Sequence, residues 1–291
     1  MKIGLIAVII AALLYGGFTV LIKHGMNNGL NPISLTTSLS IPLIIFSLIY
    51  IIYKKEEVKI IDKIYWVYLL IIAFIATFLG RTLHVVGTFY TSAINAGFIL
   101  KLVALTTPIF AFLILREKLK RKDYFAIIIA IISAFLVSTG GKLTQINIGD
   151  IPLVILAILV GFSNTLAKKT MKKINPYIIS SFRLIIGGIL LLIIVPLFLG
   201  KETFSAMNSL GIWYVLIGGV FGIGFTFLLY KGMESLGASK AVAIFLLSSV
   251  FTTIFAYIFL EERLTLIKGI GATGILIGAY IIHKEEKITT I

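Results

Sequence analysis

The stretch TSAINAGFILKLVALTTPIFAFLILREKL, residues 91–119, returns later in the chain as LGASKAVAIFLLSSVFTTIFAYIFLEERL, residues 236–264. An offset of 145 lays Ala93 on Ala238, Ala96 on Ala241, Phe110 on Phe255, Ala111 on Ala256, Leu115 on Leu260 and Glu117 on Glu262. The same offset lays Gly4 on Gly149, Ala12 on Ala157, Lys23 on Lys168 and Gly87 on Gly232. Apolar residues match easily by chance. Lysine, glutamate and glycine pairs at a single offset do not, so the chain is one unit written twice.

Both copies are built of membrane-like sequence. Of the 291 residues 59% are hydrophobic and 13% charged, where a soluble domain carries about a quarter charged. A bilayer-spanning helix needs about 20 apolar residues. Ten runs approach that length: 3–22, 33–53, 64–86, 93–115, 123–139, 148–167, 177–199, 211–230, 238–260 and 264–282. The runs are solid rather than alternating, which selects helices over a barrel. The fold class is therefore an all-α integral membrane protein. Its ten transmembrane helices form two five-helix repeats, 1–140 and 146–285. An odd number of spans per repeat inserts the second copy upside down. Such inverted repeats serve alternating access about a site near the bilayer midplane.

Placing the N-terminus inside puts 18 of the 26 Lys and Arg residues on that face and five on the other. This is the positive-inside bias, and it predicts that both termini are cytoplasmic. The net charge of +14 is thus a topology signal and not a nucleic-acid footprint. The expected partners are the lipid bilayer and a small-molecule substrate, for a monomer or homodimer in a prokaryotic cell (inner) membrane. Met1-Lys2 before an apolar run mimics a signal peptide, but that run matches residues 148–167 and belongs to the fold. There is no cysteine, and the histidines are the isolated His24, His84 and His283. Paired carboxylates, a Gly-rich phosphate loop and a Ser–His–acid set are also missing. An enzyme, a cofactor and a bound metal are not expected.

Polar residues inside a membrane face the bundle interior, and helical spacing shows which share a face. Thr77, Arg81, His84 and Thr88 form one stripe on span 3, and Gly97, Lys101, Ala104 and Pro108 another on span 4. Span 6 offers Ala157, Gly161, Asn164 and Lys168; span 7 Pro176, Ser180, Arg183 and Gly187; span 9 Phe245, Ser249, Thr252 and Ala256; span 1 Tyr15 and Thr19. Spans 1, 3, 4, 6, 7, 8 and 9 are expected around a central cavity, with 5 and 10 peripheral. The candidate substrate-binding set is Lys101, Arg81, His84, Arg183, Asn164, Tyr15, Thr19, Ser249 and Thr252. Lys101 lies about 12 Å from the outer end of its span at 1.5 Å per residue, deep for a snorkelling lysine. Arg81 is near enough to its end to snorkel, and a lone histidine such as His84 is commonly a packed one. All twelve carboxylates fall at span ends or in loops, which leaves Arg81, Lys101 and Arg183 without a buried counter-ion. An anionic group on the substrate would supply it. Gly274 and Gly278 form a small-xxx-small pair on span 10, read as packing within the chain.

The two quoted segments, with a small-residue start, an apolar middle and a terminal Glu-x-Leu, resemble the EamA-type ten-helix members of the drug/metabolite transporter superfamily. So does the Gly-rich IGATGILIGAYII at 270–282. Arg183, after Asn175-Pro176, is similar to an arginine those proteins often carry, which favours a structural role for it. Thr253 stands where the first copy has Pro108, which implies that the second copy loses one of the family's two kinks. The resemblance implies a transporter of amino acids, sugars, nucleotide sugars or phosphorylated metabolites. With the cationic faces it yields the expected function: a secondary transporter, facilitator or exchanger of a small carboxylate- or phosphate-bearing metabolite, anionic or zwitterionic, with amino acids and organic anions favoured. The alternatives are a lipid or lipid-linked flippase on the same fold and a non-transporting membrane scaffold.

Overall fold

A computed structural model of the chain describes residues 2–91, 93–142, 145 and 147–284, without the side chains of residues 93–95, 283 and 284. Met1, the two limits of the second repeat at 146 and 285, Lys287 and the His283 side chain lie outside the described residues or side chains. Among the described residues nine helices are long and apolar enough to cross a membrane. They are span 1 (Lys2–Asn27), span 2 (Pro32–Tyr53), span 3 (Lys63–Tyr90), span 4 (Ala96–Leu115), span 5 (Arg121–Thr139), span 6 (Asp150–Thr170), span 7 (Pro176–Phe204), span 8 (Gly211–Leu236) and span 9 (Ala238–Leu260). Span 10 is the shorter apolar helix Leu266–Ile282.

The packing repeats itself. Span 1 lies on spans 8 and 9, and its counterpart span 6 lies on spans 3 and 4. Span 2 packs on its counterpart span 7, and span 5 on its counterpart span 10. The last pair runs antiparallel: Gly271 meets Ser133 and Val137, whereas Gly278 meets Ala126 and Ala130. Spans 2 and 7 are antiparallel too, since Tyr177 meets Tyr50 edge-on while Gly188 meets Ser40 and Ile44. Equivalent helices that face each other in opposite directions define an inverted repeat. The start of span 1 and the end of span 10 then lie at one end of the bundle, called here the terminal end.

Glycines make the close seams. A methyl group on Gly149 would lie 2.5 Å from the Gly87 carbonyl oxygen, which draws span 6 onto span 3. The counterpart seam joins Gly4 and Gly232, with Val8 2.1 Å from a methyl on Gly232. Gly274 and Gly278 are likewise consumed within the chain, against Ser133 and Ala126.

Three spans break near the centre. Span 2 breaks at Leu39, three residues before Pro42, whose missing N–H leaves the Ser38 carbonyl without its helical donor. Span 4 tightens into a 3-10 turn at Leu100–Leu102, and span 9 breaks at Leu246. Lys101 and Leu246 are counterparts, so both copies interrupt the α-helix at the same place. Pro108 sits inside the helix Val103–Leu115, and Thr253, its counterpart, inside Leu247–Leu260.

Candidate functional site

A cavity of about 270 Å³ lies between the two repeats, lined from spans 1, 2, 3, 4, 6, 7, 8 and 9. Spans 5 and 10 contribute nothing to it, as their lack of polar residues predicts. Span 2, left out of the expected set, contributes Leu43.

Six of the nine candidate residues line this cavity: Tyr15, Arg81, His84, Lys101, Asn164 and Arg183. Thr19, Ser249 and Thr252 are not among its lining residues. The Thr19 and Thr252 hydroxyls turn back to their own helices, donating to the Tyr15 and Ser248 carbonyls at 2.8 Å each. Ser249 is buried in a helix contact, and its hydroxyl has no partner among the described residues. The break at Leu246 explains the shift on span 9. Three-residue bonds from Leu246 N–H to Ala243 and from Ser249 N–H to Leu246 advance the chain by about 20° more per residue than an α-helix does. That rotation brings Ser248 to the cavity in place of Ser249.

The cations divide by what they already hold. Arg183 donates from Nε to Thr77 Oγ1 (3.2 Å), from Nη1 to the Tyr230 hydroxyl (3.2 Å) and from Nη2 to the Ala76 carbonyl (3.3 Å). Ala76 and Thr77 lie in a π-helical turn, Phe74–Leu79, the kind of bulge whose altered bonding marks functional positions. Arg183 therefore ties span 7 to spans 3 and 8. Arg81 uses one nitrogen, Nη1, on the Thr36 carbonyl (3.2 Å) and Ser40 Oγ (2.9 Å), which leaves the rest of its fork uncommitted among the described residues. Lys101 has no hydrogen bond or ion pair among the described residues. Its Nζ stands 6.0 Å from the centre of the Tyr15 ring, near the outer limit of a cation–π contact. Among the described residues no carboxylate lines the cavity.

Part of the lining is aromatic. Tyr15 meets Phe225 edge-on at 5.0 Å and Phe245 at 5.2 Å, and Phe18 lies 5.6 Å from Phe225. The sequence reading passed over Phe18 and Phe225, because an aromatic residue in a span looks the same whether it faces lipid or a cavity. The one available signal was the three-residue step from Tyr15 to Phe18. Asn164 is buried at the floor, 3.5 Å from Thr107 Oγ1.

A two-lobed helical membrane fold around a cavity between the repeats is the class that these features define. The model of the EamA-like transporter family matches residues 2–139 and again 147–283, and the chain belongs to that family. An uncharacterized transporter of Methanothermobacter thermautotrophicus is 32% identical over 240 residues, 80% of this chain and 69% of the relative. An uncharacterized transporter of Archaeoglobus fulgidus is 26% identical over 265 residues, 88% of this chain and 90% of the relative. The uncharacterized transporter YyaM of Bacillus subtilis is 27% identical over 219 residues. A solved crystal structure superposes with a TM-score of 0.77 over 99% of both chains at 12% identity, a likeness of fold alone. The chain is an integral membrane transporter that handles a small-molecule substrate within the bilayer.

Proposed function

We propose that the cargo is a small carboxylate-bearing metabolite with an apolar body, carried by alternating access. Lys101 and Arg81 receive its acid group, and the Tyr15–Phe18–Phe225–Phe245 wall receives its body. One observation carries the reading: an amine without a partner among the described residues and a partly free guanidinium face a cavity whose lining holds no carboxylate. A cation desolvated in a membrane needs an anion beside it. His84 and Asn164 line the same cavity and supply hydrogen bonds for a second polar group of an amino or hydroxy acid. A sugar body would leave its hydroxyls unpaired against four aromatic rings, at a cost of about 1–3 kcal/mol each.

One chain completes the cavity, so a single copy suffices for transport. Flux follows the substrate gradient as facilitation or exchange. The proposed setting is the prokaryotic cell membrane, with both termini cytoplasmic. The test is counterflow in proteoliposomes with a panel of organic acids, amino acids, sugars and sugar phosphates. Uptake of acids with apolar bodies that is lost in Lys101→Ala supports the reading. Uptake of sugars alone, or of acids equally well by Lys101→Ala, refutes it.

A further inference from the structure

Spans 2 and 8 touch and then part. A methyl on Gly219 would lie 2.6 Å from Pro42, and one on Gly222 2.9 Å from Leu43, so the two helices are drawn together near their middles. Closer to the terminal end span 8 carries Phe227, whose ring meets Tyr50 edge-on at 5.4 Å and keeps the helices apart. The result is an apolar groove of about 540 Å³ between spans 2, 7 and 8. It shares no lining residue with the central cavity. Phe46, Ile49 and Phe227 line its length, and Tyr50, Tyr53 and Tyr177 line it toward the loops. Ile49 is 59% exposed and Tyr53 79%, so the groove opens sideways on the outside of the bundle.

Only one copy carries this chemistry. The Asn-Pro starts of spans 2 and 7, at 31–32 and 175–176, align at an offset of 144. That offset lays Tyr50, Tyr53 and Lys54 on Ile194, Leu197 and Phe198, and Tyr177 on Ile33; the offset of 145 lays Phe227 on Thr82. Span 7 packs on span 3 without these rings and hydroxyls, so the helix contact alone does not call for them. The three tyrosine hydroxyls have no hydrogen bond among the described residues. In a bilayer, tyrosine settles at headgroup level with its ring toward the hydrocarbon. Lys54 follows the last residue of span 2, and its Nζ stands 5.5 Å from the centre of the Tyr53 ring. It donates to Glu57 at 2.7 Å, and an ammonium has further N–H donors to give.

The loops beside this end of the groove are basic. Residues 54–59 and 172–173 hold five lysines and two glutamates. Both glutamates are taken, Glu57 by Lys54 and Glu56 by Lys59 at 2.9 Å. Lys55, Lys172 and Lys173 are exposed and have no ion pair among the described residues. An apolar groove that faces hydrocarbon takes up a lipid chain, because an empty one forfeits dispersion contacts along its walls. Basic residues at the membrane surface select an anionic head. We propose that the groove binds an anionic phospholipid of the leaflet at the terminal end. One acyl chain lies along Phe46, Ile49 and Phe227, and the phosphate is held by Lys54 and the hydroxyls of Tyr50, Tyr53 and Tyr177. The lipid joins span 2 to spans 7 and 8 where the glycine seam has ended. The inference is independent of the cargo.

The test is native mass spectrometry of the full chain, released from detergent after incubation with equal amounts of phosphatidylglycerol and phosphatidylcholine bearing the same acyl chains. One phosphatidylglycerol is expected to stay on each chain in preference to phosphatidylcholine. Lys54→Ala lowers that retention about fivefold, the worth of one lysine beside an anionic head. Tyr50→Phe with Tyr177→Phe keeps both rings and also lowers it. Ile49→Trp fills the groove from an exposed position and lowers retention of both lipids. Tyr124→Leu removes an exposed tyrosine from the same end of the bundle, on span 5, and changes nothing. Equal retention of the two lipids, or unchanged retention in either Lys54→Ala or Ile49→Trp, overturns the site. An equal loss in Tyr124→Leu also overturns it and leaves a general belt of interfacial tyrosines. Excess glycerol phosphate does not displace the lipid, because it brings no chain; displacement would reduce the groove to a free-phosphate site. A lipid-free dimer that Ile49→Trp splits would give the groove to a second copy of the chain. Retention needs no cargo, so liposomes that reject every acid sink the cargo reading and leave the lipid site standing.

Discussion

Arg183 donates from all three of its nitrogens to Thr77, Tyr230 and Ala76, whereas Lys101 donates to none of the described residues. The two buried cations therefore predict opposite mutational signatures. Arg183→Lys leaves at least one of three partly buried partners unsatisfied and is expected to cost about 1–3 kcal/mol, read as a lower melting midpoint in detergent. Lys101→Ala removes no hydrogen bond or ion pair among the described residues, only the distant contact with the Tyr15 ring. Its midpoint is expected to stay within about 0.5 kcal/mol of wild type, while liposome uptake is lost. Lys101→Arg restores uptake only in part, because a planar fork does not replace a compact ammonium. A Lys101→Ala protein with a collapsed midpoint would assign this lysine to the fold instead.

At the scale of helices, the seams decide which substitutions the bundle accepts. Gly149 has the Gly87 carbonyl and the Tyr90–Thr91 backbone within 2.7 Å of where a methyl would sit. Backbone cannot step aside as a flexible side chain does. Gly149→Val is expected to push span 6 off span 3 and to destabilise by about 1–3 kcal/mol. Gly97 on span 4 has nothing within 4 Å of the same point, so Gly97→Ala should leave the melting midpoint unchanged. Equal losses from the two would show that helix propensity matters here and the seam does not. The paired breaks at Lys101 and Leu246 belong to this scale as well, since each turns a cavity-facing side chain by a fraction of a helical turn.

For the whole molecule, ten crossings place the loops at 54–63, 116–120 and 171–175 at the terminal end, and those at 28–31, 140–149 and 205–210 at the other. On the 18-to-5 division of basic residues we propose that the terminal end faces the cytoplasm. A single cysteine at position 120 is expected to resist an impermeant reagent on intact cells, and one at position 201 to react. Labelling at 120 from outside would reverse the assignment. Energy coupling is also a property of the whole molecule. Asp150, an acid near the span ends, is bound by Thr91 and by the Asn147 N–H, and Glu234 is paired with Lys231. Neither lines the cavity. Uptake is therefore expected to be indifferent to an imposed pH gradient. Concentrative uptake that needs the gradient and disappears in Asp150→Asn or Glu234→Gln would show otherwise.

The helical membrane fold, the ten spans, the duplication and the peripheral place of spans 5 and 10 were legible in the residues. Hydrophobic run length and charge placement are one-dimensional quantities set by a bilayer of fixed thickness. An offset between lysines, glutamates and glycines can likewise be read without coordinates. Six polar cavity residues were legible for a related reason, because a polar side chain in a span has an energetic motive to face inward. What only the tertiary structure decided is which partners each of them meets. Arg183 is saturated and Lys101 is not, since their hydrogen bonds come from residues 106 positions away in the one case and from none of the described residues in the other. Aromatic residues carry no such motive, so only packing distinguishes Phe225 in the cavity from Phe198 on the surface.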